Sequence, residues 1–233
     1  MKRSDYTDIP PSPFQAALSN AQLSELERTL ANQPRDHVGV RLSGIPELRP
    51  ILSPTGPIGN VAGSVLGPEC LPVRAILFDK NADQNWSLGW HQDRTIAVRQ
   101  RTDVVGFGPW SVKTGMIHVE PPFDLLTRMV TVRVHLDAVP ETNAPLLVAP
   151  RSHKRGRIPT AEIPEVVRQC GVITCLAASG DALRDAYTGS SNRSNMLQRR
   201  NGSRTSMICG RELSIERKPG MWPRKTSMNS RDG

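Results

Sequence analysis

A histidine and a carboxylate stand two residues apart in Trp90-His91-Gln92-Asp93, the end of a run that begins Asn85-Trp86-Ser87-Leu88-Gly89. On an extended strand, side chains at i and i+2 point the same way, so His91 and Asp93 can grip one cation. A second histidine from a distant strand would complete the two-histidine, one-carboxylate facial triad that holds non-haem Fe(II) with positions open for chemistry. A further His-x-Asp, His135 and Asp137, lies in another strand-like segment and is a rival pair or a pocket lining. His118, just before Glu120-Pro121-Pro122, reads as a residue of a pocket mouth or of a loop. His153, in Ser152-His153, suits a hydrogen bond to backbone better than metal ligation. Trp86, Trp90 and Trp110 cluster around the motif, and aromatic rings there serve either a core or the wall of an apolar substrate pocket. Arg94, Arg99 and Arg101 follow the motif as a solvated basic face or as partners for an anionic group.

These residues need strands to position them. Val130, Val132, Val134 and Leu136 alternate with Thr131, Arg133, His135 and Asp137, a period of two that predicts a strand within 127–139. Val73 to Asp79, Leu146-Leu147-Val148 and Val172 to Leu176 are short apolar runs with the same signature. Helix is expected early: Ser19-Asn20-Ala21-Gln22 has capping-box spacing ahead of Leu23, Leu26 and Leu30, which predicts a helix over 20–31. Five prolines from Pro34 to Pro57 break the next segment into loops, leaving room for a short helix over 58–66, and a helical turn is expected over 163–169. Several short strands between Gly/Pro loops, with little helix after 66, imply a double-sheet jelly roll or barrel.

Charge divides the 233 residues unevenly. The first 181 residues carry 19 Lys and Arg against 18 Asp and Glu, whereas the last 52 carry 11 against 4. The tail is rich in Arg, Ser, Asn and Gly and keeps no apolar alternation, so it is expected to be disordered. The expected division is a domain over 1–181 and a basic tail over 182–233. Clustered Lys and Arg can bind polyanions, but this tail has few interleaved aromatics, so nucleic acid is not the expected partner. Cys70, Cys170, Cys175 and Cys209 form no Cys-x-x-Cys pair, and four cysteines are too few for a disulfide scaffold in a chain of this length. No apolar run follows Met1-Lys2-Arg3 and none reaches membrane-spanning length, which predicts a soluble cytoplasmic protein.

Several ordered motifs together resemble the phytanoyl-CoA dioxygenase-like family of Fe(II)/2-oxoglutarate-dependent oxygenases. They are Trp90-His91-Gln92-Asp93, the strand ending His135-Leu136-Asp137, Asn143-Ala144-Pro145-Leu146, Pro150-Arg151-Ser152-His153-Lys154-Arg155-Gly156, and Gly180-Asp181. Two of them stand where the family has Asn-Gly-Pro-Leu and Pro-Gly-Ser-His-x-x-Gly, each with its glycine replaced. The resemblance implies a mainly β fold, a double-stranded β-helix of the cupin-like jelly-roll kind with an N-terminal helical segment. It implies Fe(II) held by His91, Asp93 and a second histidine, 2-oxoglutarate as co-substrate, O2, and hydroxylation of a small organic molecule. The implied second histidine falls shortly after Gly180-Asp181, with an oxoglutarate-pairing arginine beyond it. No histidine follows His153, and Arg199 and Arg200 are the arginines available.

The loss of pattern and the jump in charge at this point suggest a changed reading frame near Asp181 and a fold incomplete at its C-terminus. Codons for Leu183 through Gly189, read one base along, can encode Tyr-Ala-Thr-Pro-Ile-Leu. The coding DNA tests this directly, and the idea fails if neither alternative frame supplies a histidine-bearing strand. Three functions therefore stand open: the oxygenase, a non-catalytic remnant of its family, and a nucleic-acid-associated protein acting through the tail.

Overall fold

The computed structural model describes residues 12–34, 39–80, 88–141, 145–186, 190–193 and 210–218. The chain opens with strand β1 (Ser12–Phe14) and helix α1 (Asn20–Leu30). The expected capping box starts α1: the Gln22 amide donates to Ser19 Oγ at 3.3 Å and the Ser19 amide donates to Gln22 Oε1 at 2.9 Å. Strand β2 (Val40–Leu42), helices α2 (Arg49–Leu52) and α3 (Pro57–Leu66), and strand β3 (Leu71–Lys80) follow. Proline at the start of α3 costs no hydrogen bond, because the first amides of a helix have no partner within it. Next come β4 (Leu88–Gln92), β5 (Ile96–Val98), β6 (Trp110–Lys113), β7 (Met116–Val119) and the single turn α4 (Phe123–Leu126). The remaining elements are β8 (Val130–His135), β9 (Leu146–Ala149), α5 (Ile163–Cys170), β10 (Ile173–Cys175), β11 (Ala182–Ala186), β12 (Ser190–Arg193) and β13 (Gly210–Lys218).

All strand pairs are antiparallel and form two main sheets and a side sheet. The large sheet runs β1-β11-β8-β13-β3-β2, the small one β10-β9-β12-β4, and the side sheet β5-β7-β6. The double-sheet jelly roll expected from the strand pattern is therefore present. Three strands, β11, β12 and β13, come from residues beyond 181, where the sequence suggested only a tail. β11 lies between β1 and β8, with Ala182 and Leu183 buried, so the sheet continues past the expected boundary. β12 and β13 are central in their sheets. Ser190–Arg193 has no apolar alternation to announce it, and a strand paired on both sides is held by its backbone hydrogen bonds.

Each face of β8, inside the large sheet, is buried, but against different things. Val130, Val132 and Val134 join Ala75, Leu77 and Ala182 in one apolar core with Leu26, Ile58, Val61, Ala62 and Val65 of the helices. Each fully buried valine or leucine there contributes roughly 1.5–3 kcal/mol. Arg184, opposite Val132, shares this outer face: it donates to Ser64 Oγ of α3 at 2.8 Å and stacks over Phe14, 5.1 Å from the ring centre. The opposite face of β8 carries Thr131, Arg133 and His135 at 3%, 6% and 2% exposure, so it too is covered. Leu183, opposite Arg133, packs with Leu146, Val148 and Cys175 of the small sheet. The second face therefore looks into the space between the two sheets.

Candidate functional site

The same register reasoning orients the small sheet. Ser191 pairs with Val148 on one side and with His91 on the other, and cross-strand partners share a face. Since Val148 packs against Leu183, His91 also belongs to the inner face. Its neighbours Trp90 and Gln92 point outward. Trp90 packs with Ala149, Ile158, Ile163, Val166 and Val167, under α5. Gln92, 8% exposed, donates through Nε2 to the Gly156 carbonyl at 3.0 Å and accepts from the Ile158 amide at 2.9 Å. The motif thus alternates: its outward residues fasten β4 to the loop after β9, and His91 faces inward.

His91 Nδ1 lies 2.8 Å from the Gly89 carbonyl, which can only accept, so Nδ1 carries the proton and Nε2 presents a lone pair. That lone pair looks toward Asp93, whose Oδ1 is 4.0 Å away. About a third of each side chain is exposed, so a small ion has access. A backbone carbonyl that fixes the tautomer and ring orientation is the usual second partner of a metal-ligating histidine. His91 and Asp93 therefore fit two protein positions of an iron centre.

Among the described residues the third position is not supplied. Among the described residues no three His, Cys, Asp or Glu side chains group closely enough to hold a metal. His118, His135 and His153 do not group with His91 and Asp93. Among the described residues the three-ligand centre is not completed.

His135 lies on the inner face of β8 and is buried. His118 is fully buried at the centre of the side sheet, where Ala97 and Ser111 flank it. Trp110 is on that sheet's edge strand β6, with the Arg101 guanidinium 5.5 Å from its ring centre. Trp90 is on the outer side of β4, away from the interior. Trp86, Arg199 and Arg200 lie outside the described residues.

Sequence reasoning passed over Arg74, Thr131 and Arg133 as site residues. All three are at most 9% exposed. Arg74 and Thr131 both pair with Glu216 of β13, which places them on one row of the inner face, beside the row of Arg133. The available signal was Arg133 in the middle of a strand whose alternate residues are all valine.

Two antiparallel sheets face to face, with a His-x-Asp pair where β4, the edge strand of the small sheet, ends, define a double-sheet jelly roll. The phytanoyl-CoA dioxygenase (PhyH) family model matches residues 58–192, and the chain belongs to that family. No curated protein sequence matches it. Among solved structures, the non-heme alpha ketoglutarate dependent carbocyclase SnoK from nogalamycin biosynthesis is 15% identical with a TM-score of 0.63, covering 92% of this chain and 81% of that one. EctD from S. alaskensis in its apoform is 13% identical with a TM-score of 0.64, covering 94% and 79%. AviO1 from Streptomyces viridochromogenes is 16% identical with a TM-score of 0.59, covering 94% of each chain. At these identities the likeness concerns the fold. Among the described residues no helix is long and apolar enough to cross a membrane.

Proposed function

We propose that this chain is an Fe(II)- and 2-oxoglutarate-dependent oxygenase of the PhyH family, acting on a small organic molecule inside the barrel, with His91 and Asp93 as its metal ligands. The observation that carries this reading is the pre-set His91 ring: Nδ1 tied to the Gly89 carbonyl and Nε2 turned to Asp93. The solved SnoN epimerase, a structural neighbour, was described in complex with Fe3+, alpha ketoglutarate and nogalamycin RO, and EctD with bound Fe and with 2-oxoglutarate and 5-hydroxyectoine. Iron would supply the oxidising chemistry, with 2-oxoglutarate as electron donor. The chain would supply the His–Asp grip, a closed interior and the polar inner face of β8.

A second reading has its own support in the lack of a third ligand among the described residues: a family member that keeps the fold and binds metal weakly, without turnover. Titration of the metal-free chain with Co(II), followed by visible absorption, separates the possibilities alongside an assay of 2-oxoglutarate consumption with Fe(II). The oxygenase requires Co(II) binding that weakens at least about tenfold in His91→Ala, together with oxoglutarate consumption. Binding without consumption selects the remnant, and equal binding by wild type and His91→Ala removes the metal site from both.

A further inference from the structure

A groove opens at the β2 edge of the large sheet, on the face turned away from His91. Leu42 of β2 pairs in register with Ala75 of β3, and both belong to the core shared with the helices. Leu48, just before α2, and Leu52, at its end, pack in the same core. These four side chains, at most 8% exposed, floor a cavity of about 300 Å³. Its rim is made of exposed residues: Ser43 and Gly44, where the chain leaves β2, and Arg49. Gly44 has φ of +70°, and a Cβ built there would meet nothing within 4 Å, so the mouth is open on that side.

Protein interiors leave few voids larger than a water molecule, because the lining atoms forgo dispersion contacts across the gap. A longer side chain at Ala75 or Ser43 would close this one. The residues present instead give an apolar floor with one cation at the rim, and small-molecule sites are lined in that way. A cavity of roughly 150 Å³ holds benzene, so this one has room for an apolar body of about ten carbon atoms. Arg49 is the only charged residue in the lining, and it has no ion-pair partner among the described residues. The Ser53 hydroxyl, also in the lining, is already committed to the Pro50 carbonyl at 3.2 Å. Recognition of an ionic group therefore falls to Arg49.

We propose that this groove binds a small amphiphilic carboxylate, with its apolar body over Leu42, Leu48, Leu52 and Ala75 and its carboxylate at Arg49. Removing the apolar body from water supplies most of the affinity. The ion pair at the exposed rim adds about two- to fivefold and sets which end of the ligand points outward. The site lies across the large sheet from the His91–Asp93 pair and stands whether or not that pair holds a metal. The chain's own continuation is the rival occupant: Arg217 and Lys218 of β13 pair with Pro72 and Leu71, Pro72 lines the groove, and the sequence runs on to Met221 and Trp222.

The test is equilibrium dialysis of the full, metal-free chain against 2-naphthoate and its neutral analogue 2-naphthylmethanol. The site requires saturable binding of both, with 2-naphthoate about two- to fivefold tighter. Arg49→Gln should bring 2-naphthoate to the level of the alcohol and leave the alcohol unchanged. Ser43→Phe, which puts a ring into the mouth, should weaken both at least about tenfold. His91→Ala should bind both as the wild type does, which separates this groove from the space between the sheets. Melting temperature is recorded for each variant, and should Ser43→Phe fail to fold, Arg49→Gln and the wild-type preference for the anion still decide. The proposal is overturned by the absence of saturable binding, by equal affinity for the two probes, or by 2-naphthoate binding that Arg49→Gln leaves undiminished. Binding that appears only in Trp222→Ser overturns it as well and assigns the groove to the chain's own C-terminal segment.

Discussion

β8 has two faces that are equally buried and chemically opposite. Val130, Val132 and Val134 face the helices, while Thr131, Arg133 and His135 face the small sheet. Burying the valines stabilises the fold through area removed from water, whereas burying the polar trio costs desolvation that must be recovered through hydrogen bonds and charge pairing. A chain whose inner face served stability alone would have no reason to hold an arginine and a histidine there. The outer face therefore reads as the part that holds the sheet, and the inner face as the part that, under the proposed function, meets a ligand. β4 repeats the division, with Trp90 and Gln92 fastening the strand outside and His91 available inside.

The sharpest way to break this comparison is to put a charge on the supporting face. Val132 has no exposed surface and packs in the core between the helices and the large sheet. Val132→Asp places an unpaired carboxylate in that core and should cost at least about 4 kcal/mol, most of the stability of a chain at the low end of the ordinary range. Urea unfolding monitored by circular dichroism measures it. A variant that folds with a near-normal midpoint would show that the helix-side packing is not what holds the sheet.

The next effect tests the seam where the N-terminal segment joins β11. Asp181, 8% exposed, accepts from the Ala16 amide through Oδ1 at 2.9 Å and from the Ala178 amide through Oδ2 at 2.8 Å. Gly180 has φ of +85°, and its carbonyl accepts from the Leu18 amide at 3.1 Å. A side chain on Gly180 would come within 3.2 Å of the Leu18 carbonyl, so glycine meets both the backbone angle and the close approach. The Gly-Asp pair recognised by resemblance is thus a structural joint on the supporting side. Asp181→Ala leaves two backbone donors without their acceptor and should cost about 2–4 kcal/mol. Asp181→Asn, which keeps one oxygen, should cost less. Both are read from the thermal unfolding midpoint.

Much of the supporting side was legible because apolar burial leaves a periodic trace. The capping box at Ser19, the valine alternation of β8 and the short runs of β3, β9 and β10 all matched elements in place. The strands beyond 181 were not legible, because Ser190–Arg193 has no alternating apolar residues and pairs through its backbone. The inner face was half legible. His91 and Asp93 stood out by type and spacing, whereas Arg74 and Arg133 resembled solvated residues of half-exposed strands. Only the second sheet, brought over them by long-range pairing, reveals that they are inside.

The smallest predicted effect touches only the supporting side and leaves the inner face alone. Arg151 follows β9 at the position where the resembled motif has glycine, and its backbone is left-handed, φ 62° and ψ 1°. The turn needs that conformation: the next residue, Ser152, is wholly buried and donates through Oγ to the Ala149 carbonyl at 2.7 Å. An arginine in this region costs roughly 1–2 kcal/mol through the crowding of Cβ against the following carbonyl. Glycine removes that crowding but makes the unfolded chain more flexible, which offsets part of the gain. Arg151 is exposed, so its side chain takes little packing with it. Arg151→Gly should therefore raise stability by about 0.5–1 kcal/mol, seen as a higher urea midpoint with unchanged slope. Co(II) affinity should stay the same, because Arg151 belongs to neither the His91–Asp93 pair nor the inner face. A change in metal affinity with this substitution would mean that the outer turn and the inner site are coupled, and the division drawn across β4 and β8 would have to be abandoned.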